Sequence, residues 1–148
     1  MNLSTLFHVA GRLIVALCLI VTVGCKHGDL AVAESTKDIS GDWRIVKVVR
    51  NGVDITTLTD FSQFKIHFTA DLKYTMDNPL PFVVKKNGTY ALDDPKYPFR
   101  LKFAPDGDTA VSTSFNYPIV AGARNIIFTF SPGCGANVYV YTMQRMQP

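Results

Sequence analysis

The sequence predicts an all-β fold, a small up-and-down antiparallel β-barrel of about eight strands, on three observations. From residue 39 onward, short runs that alternate apolar and polar, or that are dense in β-branched and aromatic residues, follow one another closely. Turn-forming residues stand between successive runs, and no stretch of this region carries the period of an amphipathic helix. Closing such a meander on itself removes the exposed strand edges that would otherwise recruit other chains.

The strands are expected near residues 41–50, 63–69, 72–77, 82–86, 88–92, 99–104, 109–117, 125–131 and 137–145. The first opens at Gly41-Asp42-Trp43 and ends at Asn51-Gly52, a strong two-residue hairpin signal. Thr57 to Phe61 offers one helical turn, with Thr57 and Asp60 at capping-box spacing. Phe64-Lys65-Ile66-His67-Phe68 alternates strictly, as does Phe99-Arg100-Leu101-Lys102-Phe103. Between them lies Asn78 to Lys86 (NPLPFVVKK), whose 82–86 portion is weak enough to belong to a loop, which leaves about eight strands. This segment either folds back over the barrel's open end or presents an apolar strip to a partner. Asn87-Gly88, Pro105-Asp106-Gly107-Asp108 and Ser131-Pro132-Gly133 read as turns. Ile126-Ile127-Phe128-Thr129-Phe130 and Val138-Tyr139-Val140-Tyr141 complete the set.

Ahead of this region, Arg12 precedes the apolar run Leu13 to Val23 (LIVALCLIVTV), which Gly24-Cys25-Lys26 ends. A basic residue, a short apolar run and a small residue before a cleavage point describe an export signal. A membrane-crossing helix needs about 20 apolar residues, and this run is much shorter. The expected organisation is a signal segment over residues 1–24, a tether over 25–38 and one barrel domain over 39–148. With 148 residues there is room for one domain.

Thr22-Val23-Gly24-Cys25 resembles the lipobox of bacterial lipoproteins, with Thr22 where leucine is usual. The resemblance implies that Cys25 is alkylated with diacylglycerol and, after cleavage, becomes the acylated amino terminus. Several acyl chains hold a protein on a membrane where one does not. Lys26 follows, not the aspartate that retains some lipoproteins in the inner membrane, so an outer-membrane position in the cell envelope is expected. Cys18 leaves with the signal and Cys25 is consumed, so Cys134 has no intramolecular disulfide partner.

Gly41-Asp42-Trp43 at the head of the first strand resembles the lipocalin (calycin-like) signature, in which the tryptophan plugs one end of the barrel. That family places a basic residue from beyond the last strand over the indole, and Arg145 stands at the matching position. The wider pattern is similar to the lipocalin-like lipoproteins of Bacteroides-type bacteria. It consists of the lipobox, Gly41-Asp42-Trp43, Asn51-Gly52-Val53-Asp54-Ile55-Thr56, Phe64-Lys65-Ile66-His67-Phe68, Asn78-Pro79-Leu80-Pro81-Phe82 and Gly88-Thr89-Tyr90. The domain expected over residues 39–148 is shorter than a typical lipocalin, and it is expected to lack that family's C-terminal helix.

The residues leave catalysis little to work with. His67 is the only histidine in the domain, and alternation turns it away from Phe64, Ile66 and Phe68, toward water. Neither a Ser–His–Asp arrangement nor a histidine metal site is supported. Asp93-Asp94 and Asp106-Gly107-Asp108 sit beside Pro or Gly and read as turn formers. Cys134, within Pro132-Gly133-Cys134-Gly135, reads as a hairpin-tip residue or as a point of pairing with another chain. A net charge of +3 supplies no basic stripe of the kind nucleic acid requires.

Ten Phe, six Tyr and one Trp give the chain material for a core. Phe64, Ile66, Phe68, Tyr74, Phe103, Phe128 and Tyr141 share expected inward faces and are the candidate ligand-binding residues, with Trp43 and Arg145 closing one end. The same residues could instead fill the barrel, since an eight-stranded barrel holds its own side chains or one small ligand. Two readings stay open. One is a lipid-anchored, non-enzymatic protein that binds a small apolar or amphipathic molecule; the other is an interaction module that meets another envelope protein. Neither calls for a cofactor or a metal.

Overall fold

The computed structural model describes residues 33–80, 84–132 and 135–147. Every regular element among them is a strand: β1 (Gly41–Arg50), β2 (Val53–Asp54), β3 (Lys65–Phe68), β4 (Lys73–Asp77), β5 (Gly88–Leu92), β6 (Arg100–Pro105), β7 (Val111–Asn116), β8 (Ile119–Val120), β9 (Ala123–Phe130) and β10 (Tyr139–Arg145). Eight of them close a ring in the order β10-β1-β3-β4-β5-β6-β7-β9, because β9 also pairs with β10. All pairings are antiparallel. The fold is the closed antiparallel barrel that alternation and turn chemistry predict, in the lipocalin-like form that the resemblance implies. β2 and β8 lie off the ring, as short hairpin arms on β1 and β9.

The alternation that builds the ring is visible strand by strand. In β3, Ile66 and Phe68 are buried while Lys65 and His67 are exposed. In β6, Leu101, Phe103 and Pro105 face in. β1 departs from strict alternation: its register shifts between Ile45 and Lys47, so Trp43 and Ile45 point inward but the next inward residue is Val48. One extra residue in a strand flips the phase beyond it and adds twist, so a single alternating pattern does not run through β1.

Three sequence expectations are corrected. Asn87-Gly88 is not a hairpin turn: Gly88 already pairs with Pro105 and stands opposite Tyr74. A Cβ on Gly88 would lie 2.1 Å from the carbonyl oxygen of Ala104, so glycine is required here by close strand approach. Asn87 instead lends its side-chain oxygen to the amide of Met76, at 3.0 Å. Residues 57–61 form turns and a bend in place of a helical turn, and Asp60 accepts from the amide of Ser62. The 82–86 run makes no strand among its described residues, 84–86. Asn51-Gly52 is a true two-residue hairpin, with φ of 48° and 82° and Arg50 paired to Val53.

The chain connects strands alternately at two ends. The end where β1 begins carries residues 34–40 and the β3–β4, β5–β6 and β7–β9 connections; the other carries the β1–β3 segment, with β2, and the β4–β5, β6–β7 and β9–β10 connections. The compact barrel unit starts at Glu34. The chain just ahead of β1 is held to this unit: the Lys37 amide donates to the carbonyl of Pro95 at 2.7 Å, and Ile39 is buried.

Candidate functional site

The end where β1 begins is plugged. Trp43 is fully buried, and its indole Nε1 donates to the carbonyl of Ile39 at 2.9 Å. The Arg145 guanidinium lies over the indole with Cζ 5.2 Å from the ring centroid, and its Nη2 donates to the carbonyl of Asp38 at 3.1 Å. The same carbonyl accepts the Tyr117 hydroxyl at 2.6 Å, while Arg124 caps the Tyr117 ring at 4.6 Å. Gly41 adopts φ +121°, a conformation side chains rarely tolerate, with Arg145 packed beside it. Two cations over two rings close this end, with Arg145 and the Tyr117 hydroxyl sharing the Asp38 carbonyl and Arg124 donating to the carbonyl of Tyr117 at 3.1 Å. A hollow of about 500 Å³ lies beside it, bordered by Ile39, Leu72, Tyr90, Leu92 and Pro95.

The barrel interior is filled. Of the candidate ligand-binding residues, Phe64, Ile66, Phe68, Tyr74, Phe103 and Phe128 are core residues. Phe68 meets Tyr90 at 4.8 Å, Tyr74 meets Phe103 edge-on at 5.0 Å, and Phe103 meets Phe128 at 5.8 Å between ring centroids. Rings at these separations are in contact, and none of the six borders the three clefts that the described residues form. Burial pushes the hydroxyl of Tyr74 up to about 12, with a further contribution from Asp106, and that hydroxyl donates to the carbonyl of Lys86 at 2.8 Å.

Tyr141 is buried in the same core and differs from the six in that it also borders the open end. There a cleft of about 310 Å³ is bordered by Arg50, Ile55, Leu58, Thr59, Phe61, Leu80, Tyr139 and Tyr141. Tyr139 and Tyr141 border it, and with Phe130 they form an aromatic stack within 24° of parallel at centroid separations of 5.4 to 6.1 Å. Burial, then the neighbouring Tyr139, pushes the Tyr141 hydroxyl up to about 12. Arg50 stands at the rim, 5.7 Å over Tyr139, with both Nε and Nη2 donating to Asn137. Leu58 is 74% exposed on the opposite wall. Both described ends of the 78–86 segment fold back on this end: Leu80 packs on the core and Val84 is buried in it. Phe82 and Cys134 lie outside the described residues, as does Cys25.

Ile55, Leu58 and Phe61 escaped the sequence reading. Their threefold spacing was the available signal, but in a segment without regular structure it marks an apolar flap, not a helix face. The remaining polar candidates hold loops together. Asp93 accepts from the amides of Asp94, Phe99 and Arg100, and Asp94 from those of Lys96 and Tyr97; these bonds hold both carboxyls below the usual range. His67 sits on the outer wall, with Nδ1 2.6 Å from Asp42 on the neighbouring strand. Among the described residues no three His, Cys, Asp or Glu gather as a metal site would require.

No curated protein and no solved structure matches the chain. A family model described as a domain of unknown function (DUF5004) matches residues 23–144, which takes in the whole barrel up to the penultimate residue of β10. A match over that much of the sequence settles the family: the chain belongs to DUF5004.

Proposed function

We propose that this protein is a lipid-anchored lipoprotein of the cell envelope, akin to the lipocalin-like lipoproteins, that binds a small apolar or amphipathic molecule without catalysis. The anchor is Cys25, and the outer membrane is its site. The ligand sits across the open end, not inside the barrel. The observation that carries this reading is the cleft of about 310 Å³, walled by Ile55, Leu58, Phe61 and Leu80 over the Tyr139–Tyr141 stack. Apolar walls with a few oriented polar groups are what small-molecule sites offer. Arg50 at the rim suits an amphiphile whose head is anionic.

Trp43 lies at the opposite end from this cleft, so its fluorescence is a poor reporter of occupancy. The test is saturable binding of an environment-sensitive fluorescent fatty acid to the intact protein, with native mass spectrometry for co-purifying molecules. Leu58→Asp is expected to weaken binding at least tenfold while leaving the fold intact. Absence of saturable binding, or equal binding by the variant, overturns the assignment.

A second reading, an interaction module for another envelope protein, is favoured by one observation. Val53, Leu58, Val111 and Val138 are all exposed at the open end. Crosslinked envelope preparations containing a specific partner lost on Val53→Asp would support it.

A further inference from the structure

The connections at the plugged end carry apolar side chains where turns ordinarily carry polar ones. Leu72, Tyr97, Phe99, Ile119 and Val120 are 53%, 60%, 73%, 61% and 52% exposed, and they come from three successive connections around that end. The arm formed by β8 is the clearest case. Val120 pairs with Ala123 across a two-residue turn, Ala121-Gly122, with φ of 49° and 78°. Asn-Gly or Asp-Gly is the ordinary choice for that geometry, as at Asn51-Gly52. Here the tip reads Ile-Val-Ala-Gly, four residues without one polar side chain. Leu72 likewise occupies a left-handed conformation, φ 63°, that favours Gly or Asn.

The point at which the chain enters the barrel lies at this same end. Lys37 is bonded to Pro95, in the connection that carries Tyr97 and Phe99. Between Cys25 and Glu34, where the barrel unit begins, there are nine peptide steps, a reach of at most about 32 Å for any chain. An anchor at Cys25 therefore holds the plugged end, and not the open one, against the bilayer. Lys96 and Arg124 lie beside the exposed apolar residues, as cations do at a membrane interface.

We propose that the plugged end of the barrel docks on the lipid bilayer, with Phe99, Ile119 and Val120 entering the headgroup region and the open-end cleft facing away from it. This rests on the reading of Cys25 as a lipid anchor, and it adds an orientation and a second, non-covalent membrane contact. The docking is driven by apolar insertion: acidic Asp71, Asp93 and Asp94 offset the basic residues at this end, so anionic lipid is not required.

The test uses the full chain purified with its anchor, in a Cys134→Ser background, carrying one introduced thiol at Phe99→Cys, Ile119→Cys or Val53→Cys. Each thiol is labelled with a fluorophore and the protein is reconstituted in phosphatidylcholine vesicles containing a headgroup-level nitroxide quencher. Quenching at the first two positions is expected to be at least threefold stronger than at Val53→Cys. Equal, weak quenching at all three in protein that floats with the vesicles overturns the docking and leaves the anchor standing. Protein that does not float overturns both.

Discussion

Gly88 and Gly52 look alike in sequence, each following an asparagine, yet they are required for opposite reasons. Gly52 needs its left-handed backbone and has open space where a Cβ would go. Gly88 has no such backbone requirement, but a Cβ there would meet the Ala104 oxygen at 2.1 Å. Gly88→Ala must therefore push β5 off β6. It is expected to cost about 1–3 kcal/mol in urea unfolding, the range typical of overpacking. Turn chemistry made Asn51-Gly52 legible, because the pair acts locally. It misled at Asn87-Gly88, because the constraint on Gly88 comes from a strand some sixteen residues away. Trp43 and Arg145 were legible for another reason: the first and last strands of any closed meander must meet, so a residue near each end faces its counterpart.

The elements were legible where alternation was uninterrupted and less so where it broke. β3 and β5 follow the pattern closely, whereas the bulge in β1 shifts its inward set to Val48 without any Gly or Pro to announce it. β2 and β8, two residues each, are too short for periodicity to declare. β4 shows how one side chain secures an irregular element: the Tyr74 hydroxyl holds Lys86, at the end of the β4–β5 connection. Tyr74 and Tyr141 keep their protons more tightly folded than unfolded, up to about 12 against 10.0. Between those values the folded chain binds more protons than the unfolded one, so stability is full below pH 10 and falls as pH rises toward about 12. Urea midpoints measured across that window should drop. Tyr74→Phe should lose about 1 kcal/mol at neutral pH from the vacated Lys86 carbonyl and show a shallower alkaline decline.

At the scale of the whole molecule, the ring is not equally strong around its circumference. β1 and β10 share seven paired positions, β9 and β10 share six, and β4 and β5 only two. Amides directed across the β4–β5 seam, those of Met76 and Tyr90, are expected to exchange at least tenfold faster than those of β10 in hydrogen-exchange measurements. Ring closure itself could be read from sequence, since consecutive strands with short connections leave few other arrangements. Whether the interior is hollow could not. Cavity volume depends on how Phe68, Tyr74, Phe103 and Phe128 tilt against one another, and alternation specifies which way a ring points, not how it leans.

The position of β1 has a mechanical consequence. Any pull arriving along the chain from residue 33 is transmitted through Lys37 into the start of β1, which is flanked by β10 over seven positions and by β3 over four. Tension in that direction runs parallel to the strand, so the rungs on both sides are sheared together, not peeled singly. Drag on the domain thus meets the barrel along its strongest loading axis, while β3 and β4 separate the thin β4–β5 join from the line of force.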